Sequence, residues 1–172
     1  MQTIYISNTK EIKKLQRELE NKLKLKITLK NKMLTIEGDA LKEYEASIII
    51  EAVNAGFNLN QSLLLLSDEY SLRQIFIKNS TRRKNLHDVK ARIIGTEGKT
   101  KRTIESLGEC YIIVKDSIVY LLAPADKVEY ITTAITNLIK GSKQSNVYKF
   151  LEERNAQEKI NLNEDLGIKN KD

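Results

Sequence analysis

Two glycines three residues apart, Gly95 and Gly98, stand in the run Ala91-Arg-Ile-Ile-Gly-Thr-Glu-Gly-Lys-Thr-Lys-Arg-Thr-Ile104. Glycine lets the backbone take positive φ and lets another chain approach closely. An apolar helical pattern ends on Ile93 and Ile94, and a second runs from Lys99 through Ile104 and Leu107. The spacing therefore predicts a tight corner between two helices. The second helix directs its unpaired N–H groups and the positive end of its dipole over the loop. Such a terminus suits phosphate, and Arg92, Lys99, Lys101 and Arg102 surround it with positive charge. The chemistry on offer is non-covalent capture of a phosphate chain.

Other chemistry finds little support. The 172 residues include one cysteine and one histidine, so neither a disulfide framework nor a cysteine zinc site is expected. Cys110 alternates with Ile112 and Val114 as a small core residue, and His87 reads as a surface helix residue. There is no Gly-x-x-x-x-Gly-Lys-Ser/Thr loop, metal cluster or nucleophile–base pair, so the reading is of a protein that is not an enzyme and needs no cofactor. No signal peptide is visible and no apolar stretch approaches the length of a membrane span, so a soluble, cytoplasmic protein is expected. The net charge of +6 favours a polyanionic partner. From Lys78 to Arg102 nine basic residues meet two acidic ones, so this window carries the whole excess and is expected to gather around the glycine loop.

The corner needs elements to hold it. Leu72–Ile77 reads as a strand, and Ser80 or Thr81 as the cap of a helix through Arg82, Leu86, Val89 and Ile93. Beyond the corner, Cys110–Lys115 and Ser117–Leu122 read as strands. Pro124 is placed to start a helix that runs from about Ala125 to Lys140. Earlier in the chain, Thr3–Ser7 is a strand, and Asn8 or Thr9 caps a helix with Glu11 in its first turn. Leu25, Ile27 and Leu29 alternate as a strand, Asn31-Lys32 is a turn, and Met33–Ile36 is the partner strand. A helix from about Leu41 to Ala55 is closed by Gly56. Asn60–Asp68 is expected as a short helix between the units. After Gly141, Val147, Tyr148, Phe150 and Leu151 form a short amphipathic helix that packs back or presents a protein-binding ridge, and a frayed tail follows from Gln157.

The chain repeats itself. Shifted by 85 residues, Leu25, Ile27 and Leu29 fall on Cys110, Ile112 and Val114, and Gly56 falls on Gly141. Lys10 and Lys13 take the places of Gly95 and Gly98. The opening strands are offset by about 71, so the first copy lacks about 14 residues, one helix plus the loop.

Helix, Gly-x-x-Gly, helix, strand, strand, helix resembles a KH RNA-binding domain, whose loop clamps about four single-stranded nucleotides. Joined to Asn137-Leu-Ile-Lys-Gly141 and Ser145-Asn-Val-Tyr148, the run Arg92–Glu105 resembles the pre-ribosomal RNA processing KH proteins called partner of Nob one, or Dim-two, in their short archaeal form. The resemblance implies an α+β fold of two tandem type I KH-like domains, three-stranded sheets with helices packed on one face, plus a C-terminal helix. The expected domains are a degenerate unit without the loop at 1–58, a linker helix at 59–71, a KH domain at 72–156 and a flexible tail at 157–172. It implies binding of single-stranded small-subunit rRNA near its 3′ end and help in pre-rRNA processing, with the Nob-one endonuclease and the alpha subunit of translation initiation factor two as partners. Gly95, Thr96, Glu97, Gly98, Lys99, Lys101 and Arg102, with Arg92 beside them, would hold the backbone. Ile93, Ile94 and Ile113 would floor the groove for bases. Glu97 is expected to point to solvent, and Thr96 departs from the basic residue common in the family's loop. The alternative is a protein-interaction scaffold in translation initiation with secondary, non-specific RNA binding.

Overall fold

Alternation along short apolar strands builds two sheets. The computed structural model describes residues 1–7 and 9–166, without the side chains of residues 9–11 and 164. The expected cap at Asn8 or Thr9, Glu11, and the tail from 167 lie outside what is described. The chain divides into two compact units, Met1–Leu72 and Arg73–Asp172.

The first unit runs β1 (Gln2–Tyr5), α1 (Thr9–Leu23), β2 (Lys26–Lys30), β3 (Met33–Glu37), α2 (Ala40–Ala55) and α3 (Leu59–Leu63), then a short 3-10 turn at Leu64–Leu66. Its antiparallel sheet has the order β1-β3-β2. Asn31 and Lys32 both take positive φ, 48° and 62°, and so form the two-residue hairpin turn between β2 and β3. Ile27, Leu34 and Ile36 bury one face of the sheet beneath Ile12, Leu15 and Leu19 of α1 and Ala46, Ile49 and Ile50 of α2. Asn60–Asp68, expected between the units, instead contributes to this core. Leu59, Leu63, Leu65 and Leu66 pack against it, and Asn58 caps the helix reciprocally with Gln61.

The second unit contains α4 (Ile77–Ser80), α5 (Leu86–Ile94), α6 (Lys99–Gly108), β5 (Tyr111–Lys115), β6 (Ile118–Pro124), α7 (Val128–Lys140) and α8 (Gln144–Asp165), and its sheet opens on β4 (Tyr70–Phe76). The order is β4-β6-β5, the same as in the first unit. Strand β5 lies 85 residues after β2 at both ends, and Gly56 and Gly141 end their helices with φ of 121° and 117°. Between its first two strands the first unit has only α1, where the second unit has α4, α5 and α6. Ile93, Ile104, Ile112, Val119, Leu121, Ile131, Ile135 and Leu138 meet in the second core.

Three local expectations shift. Helix α5 is capped by Asn85, whose side chain accepts from the His87 N–H, rather than by Ser80 or Thr81. The Thr81 hydroxyl instead accepts the Arg83 N–H, a local turn that separates α4 from α5. Pro124 ends β6, and α7 starts only at Val128, because Pro124 O closes a turn with the Lys127 N–H. Helix α8 continues to Asp165, well past Gln157, where the frayed tail was expected. Val147 and Leu151 anchor it in the core, and Asn155 donates to Leu107 O at 2.7 Å. No glycine or proline interrupts 142–166.

Ile104→Ala, on the buried face of the second helix of the corner, should lower stability by about 2–5 kcal/mol in a denaturant titration. Burial, and then the neighbouring Glu105 charge, push the Cys110 thiol up to about 12. A thiol reagent at about pH 8 should therefore leave the native protein unlabelled and label it once denaturant unfolds it; rapid native labelling would contradict the buried placement.

Candidate nucleic-acid interface

The corner between α5 and α6 is built from backbone that side chains resist. Gly95 has φ 75° and ψ 174°, a region essentially reserved for glycine. A Cβ placed there would meet Thr100 Oγ1 at 2.2 Å and Thr100 N at 2.7 Å. Gly98, at φ 76° and ψ 14°, is left-handed, but a Cβ on it would meet no atom within 4 Å. The first glycine is thus fixed by packing as well as by conformation. The second is fixed by conformation alone and faces open space. Between them Glu97 also takes positive φ, 52°, and is exposed as expected.

Three side chains hold the loop. Arg102 donates to Glu97 O at 2.8 Å. Thr100, only 2% exposed, accepts from Gln144 Nε2 at 2.8 Å, so the first residue of α8 reaches into the corner. Arg92 donates through Nη2 to Ser142 O at 2.7 Å, which ties α5 to the segment between α7 and α8. The sequence pattern singled out Arg92 as a loop cation; the structure turns its guanidinium into this support. Thr100, Ser142 and Gln144 carried no signal in the sequence beyond a polar residue in the first turn of an amphipathic helix.

The remaining site residues divide. Thr96, Lys99 and Arg102 are exposed at the corner, and Ile94 beside them is 38% exposed. Lys101 pairs with Glu105 at 2.9 Å, and the same Glu105 oxygen accepts the Ile112 N–H at 2.8 Å. That carboxylate clasps edge strand β5 to α6. Glu20 makes the same clasp in the first unit, where it accepts the Ile27 N–H, again 85 residues earlier. There Gln16 stands in the place of Lys101 and donates to Ile27 O at 2.7 Å, so both polar groups of Ile27 are taken by side chains of α1. Ile93, expected in the groove floor, is fully buried in the core. Ile113 lies opposite Tyr120 and on the other face of the sheet from Ile112, by the two-residue period of a strand. It therefore does not share a wall with Ile94. The partly exposed β5 side chain that faces the same way as Ile112 is Val114.

The basic window also separates in space. Lys99 and Arg102 lie on α6 at the corner, while Lys78, Arg82 and Arg83 line a different cleft with Lys140. Among the described residues no cluster of His, Cys, Asp and Glu could hold a metal ion, and no helix is long and apolar enough to cross a membrane.

The two glycines should respond unequally to substitution. Gly98→Ala should cost about 1–2 kcal/mol for its left-handed φ, and Gly98→Asn less. Gly95→Ala should cost about 3 kcal/mol or more, since strain and the collision with Thr100 add. Equal costs in a thermal or chemical melt would remove the packing role given to Thr100.

Comparison with known proteins agrees with this geometry. Residues 71–156 match the model for the second KH domain of PNO1, described as a eukaryotic type KH-domain (KH-domain type I). A KH domain-containing protein of Methanocaldococcus jannaschii is 36% identical over 115 residues, which are 66% of this chain and 51% of the relative. The chain spans about half the length of the curated relatives it matches. The crystal structure of Dim2p from Pyrococcus horikoshii is similar with a TM-score of 0.76 and 26% identity, over 88% of this chain and 98% of that one. A chain of the a/eIF2alpha-aDim2p-rRNA complex from the same organism is similar with a TM-score of 0.79 and 25% identity, over 91% and 94% of the two chains. With its paired glycines in a helix corner over a β4-β6-β5 sheet and a matching KH segment over half its length, the chain belongs to the PNO1, or Dim2, family of type I KH-domain proteins.

Proposed function

We propose that this protein binds single-stranded small-subunit rRNA near its 3′ end and assists pre-rRNA processing and small-subunit maturation, without cleaving RNA itself. The observation that carries the reading is the Gly95–Gly98 corner, whose open side lies over Gly98 and the start of α6. It sits in a fold similar to that of a chain from a complex containing rRNA.

A phosphate placed over Gly98 would meet no side chain there, and the positive end of the α6 dipole would face it. Lys99 and Arg102 would neutralise further phosphates. Arg102 has guanidinium N–H groups left over after the bond that steadies the loop. Ile94 and Val114 would offer apolar surface to bases, and the edge of β5 would offer backbone polar groups. Lys101 contributes less charge than the sequence suggests, because Glu105 already pairs with it. The clasp on Ile27 closes the corresponding edge of the first unit. This favours a scaffold or partner surface there over a second RNA groove.

The presence of a/eIF2alpha in the similar complex supports a second, protein-binding role toward that factor. We extend the proposal to the Nob-one endonuclease as a partner in the same maturation step, in keeping with the family.

Fluorescence anisotropy with a labelled single strand from the 3′ end of small-subunit rRNA, against a shuffled strand, tests the reading. The native strand should bind more tightly, with log K falling against log salt by about 0.7 per phosphate contact. Thr96→Asp with Glu97→Asp should weaken binding about tenfold or more, with pull-down of the initiation-factor subunit retained. Equal binding to both strands would reduce the protein to a generic electrostatic binder and move the scaffold role ahead.

A further inference from the structure

A second basic site lies apart from the glycine corner. Lys78, Arg82, Arg83 and Lys140, with the hydroxyls of Ser80 and Thr81, line an open cleft of about 680 Å³ that no acidic side chain enters. None of the four cations makes an ion pair among the described residues. Elsewhere in this unit cations do find carboxylates, as the half-buried Lys127 does with Glu109 and the exposed Lys149 with Glu153. Lys140 has a local reason for its place, the negative end of the α7 dipole. Lys78 stands likewise in the last turn of the short α4, whereas Arg82 and Arg83 belong to no helix end. These three come from the α4 turn and the segment before Asn85, and the fold holds them facing Lys140 against their mutual repulsion. Arg83 is held close, since a side chain on Gly141 would come within 3.2 Å of its guanidinium.

The cleft is joined to the corner in two ways. Helix α5 starts after the cleft residues at Leu86 and ends at Gly95. Its nine residues set the two sites about 13 Å apart along its axis. The segment Lys140–Gln144 runs between the same two places. Lys140 lines the cleft, Gly141 lies under Arg83, Ser142 accepts from Arg92, and Gln144 reaches Thr100 below the loop. Lys143, on this segment, is exposed.

We propose that this cleft is a second phosphate-binding site, which takes the RNA backbone beyond the nucleotides clamped by Gly95–Gly98 and so lengthens the strand the domain holds. The inference rests on the RNA reading given above. Its contribution is electrostatic: guanidinium and ammonium groups recognise phosphate oxygens and carry no base identity. The site therefore adds affinity and length to binding, and leaves sequence preference to the corner.

The test compares a tetranucleotide with a single strand of about ten nucleotides on the wild-type chain and on Lys78→Gln/Arg82→Gln/Arg83→Gln/Lys140→Gln. The wild type should bind the longer strand more tightly. The quadruple variant should lose about tenfold on the longer strand at ~0.1 M salt, with the salt slope reduced by about 0.7 for each phosphate released. Its binding of the tetranucleotide should be unchanged. The double variant Arg82→Gln/Arg83→Gln should give part of the loss, and it serves alone if the quadruple variant melts early. Unchanged affinity of the variants for the long strand would overturn the cleft while leaving the corner in place. Equal losses on both strands would overturn it too, since they would make the cations a general field. A wild type that binds neither strand would overturn the RNA reading itself.

Discussion

The space that Gly95 leaves for Thr100 is the constraint on which the rest of the site depends. A Cβ at residue 95 would occupy the position of the threonine hydroxyl. With the glycine there, Thr100 tucks into the first turn of α6 and its hydroxyl remains available to Gln144. That bond brings the start of α8 under the loop, and the Arg92 bond to Ser142 O fastens the chain just before it. The corner is thus gripped from below by these two contacts, while Arg102 steadies it directly through Glu97 O and Lys101 pairs with Glu105. Arg92 serves as a strut, and among the described residues its buried Nε meets no hydrogen-bond partner.

The two units are variations on one sheet, and comparing them separates what the fold needs from what the loop adds. Strand order, hairpin position, helix-ending glycine and the glutamate clasp on the edge strand are present in both. These features stabilise a three-stranded sheet with helices across it, and they survive without a loop. In the first unit, which has α1 where the second has α4, α5 and α6, the edge strand is closed at one residue. Gln16 and Glu20 cover it at Ile27. A bare edge invites pairing with other chains, and the closure guards against it.

Much of this was legible in the residues because it rests on period and punctuation. Alternation located the strands, three- and four-residue spacing located the helices, and the glycine pair located the corner. The offset of 85 exposed the repeat because apolar positions and helix-ending glycines must recur where the same sheet recurs. What escaped depends on side-chain direction and long-range partners. The two-residue period sets Ile113 on the face opposite Ile112, as the alternation of Cys110, Ile112 and Val114 implies. Arg92 looked like its neighbours Lys99 and Arg102 until Ser142, 50 residues on, supplied its acceptor. The basic window looked like one patch because sequence distance hides a helix length. Thr81 competes locally with the cap it was expected to provide. The charge from Gln157 on suggested fraying, whereas the helix anchored by Val147, Leu151 and Asn155 continues to Asp165, with Glu158 beside Lys127.

The Gln144–Thr100 bond also has a consequence for the order in which the molecule is made. Synthesis proceeds from the N-terminus, so the glycines leave the ribosome well before the helix that supports them. Until α8 has emerged far enough for Val147 and Leu151 to dock, Thr100 lacks its partner and the corner lacks its floor. The loop is therefore encoded before the helix that completes it. A nascent chain passes through a stage in which its sheet is whole and its glycine corner is not.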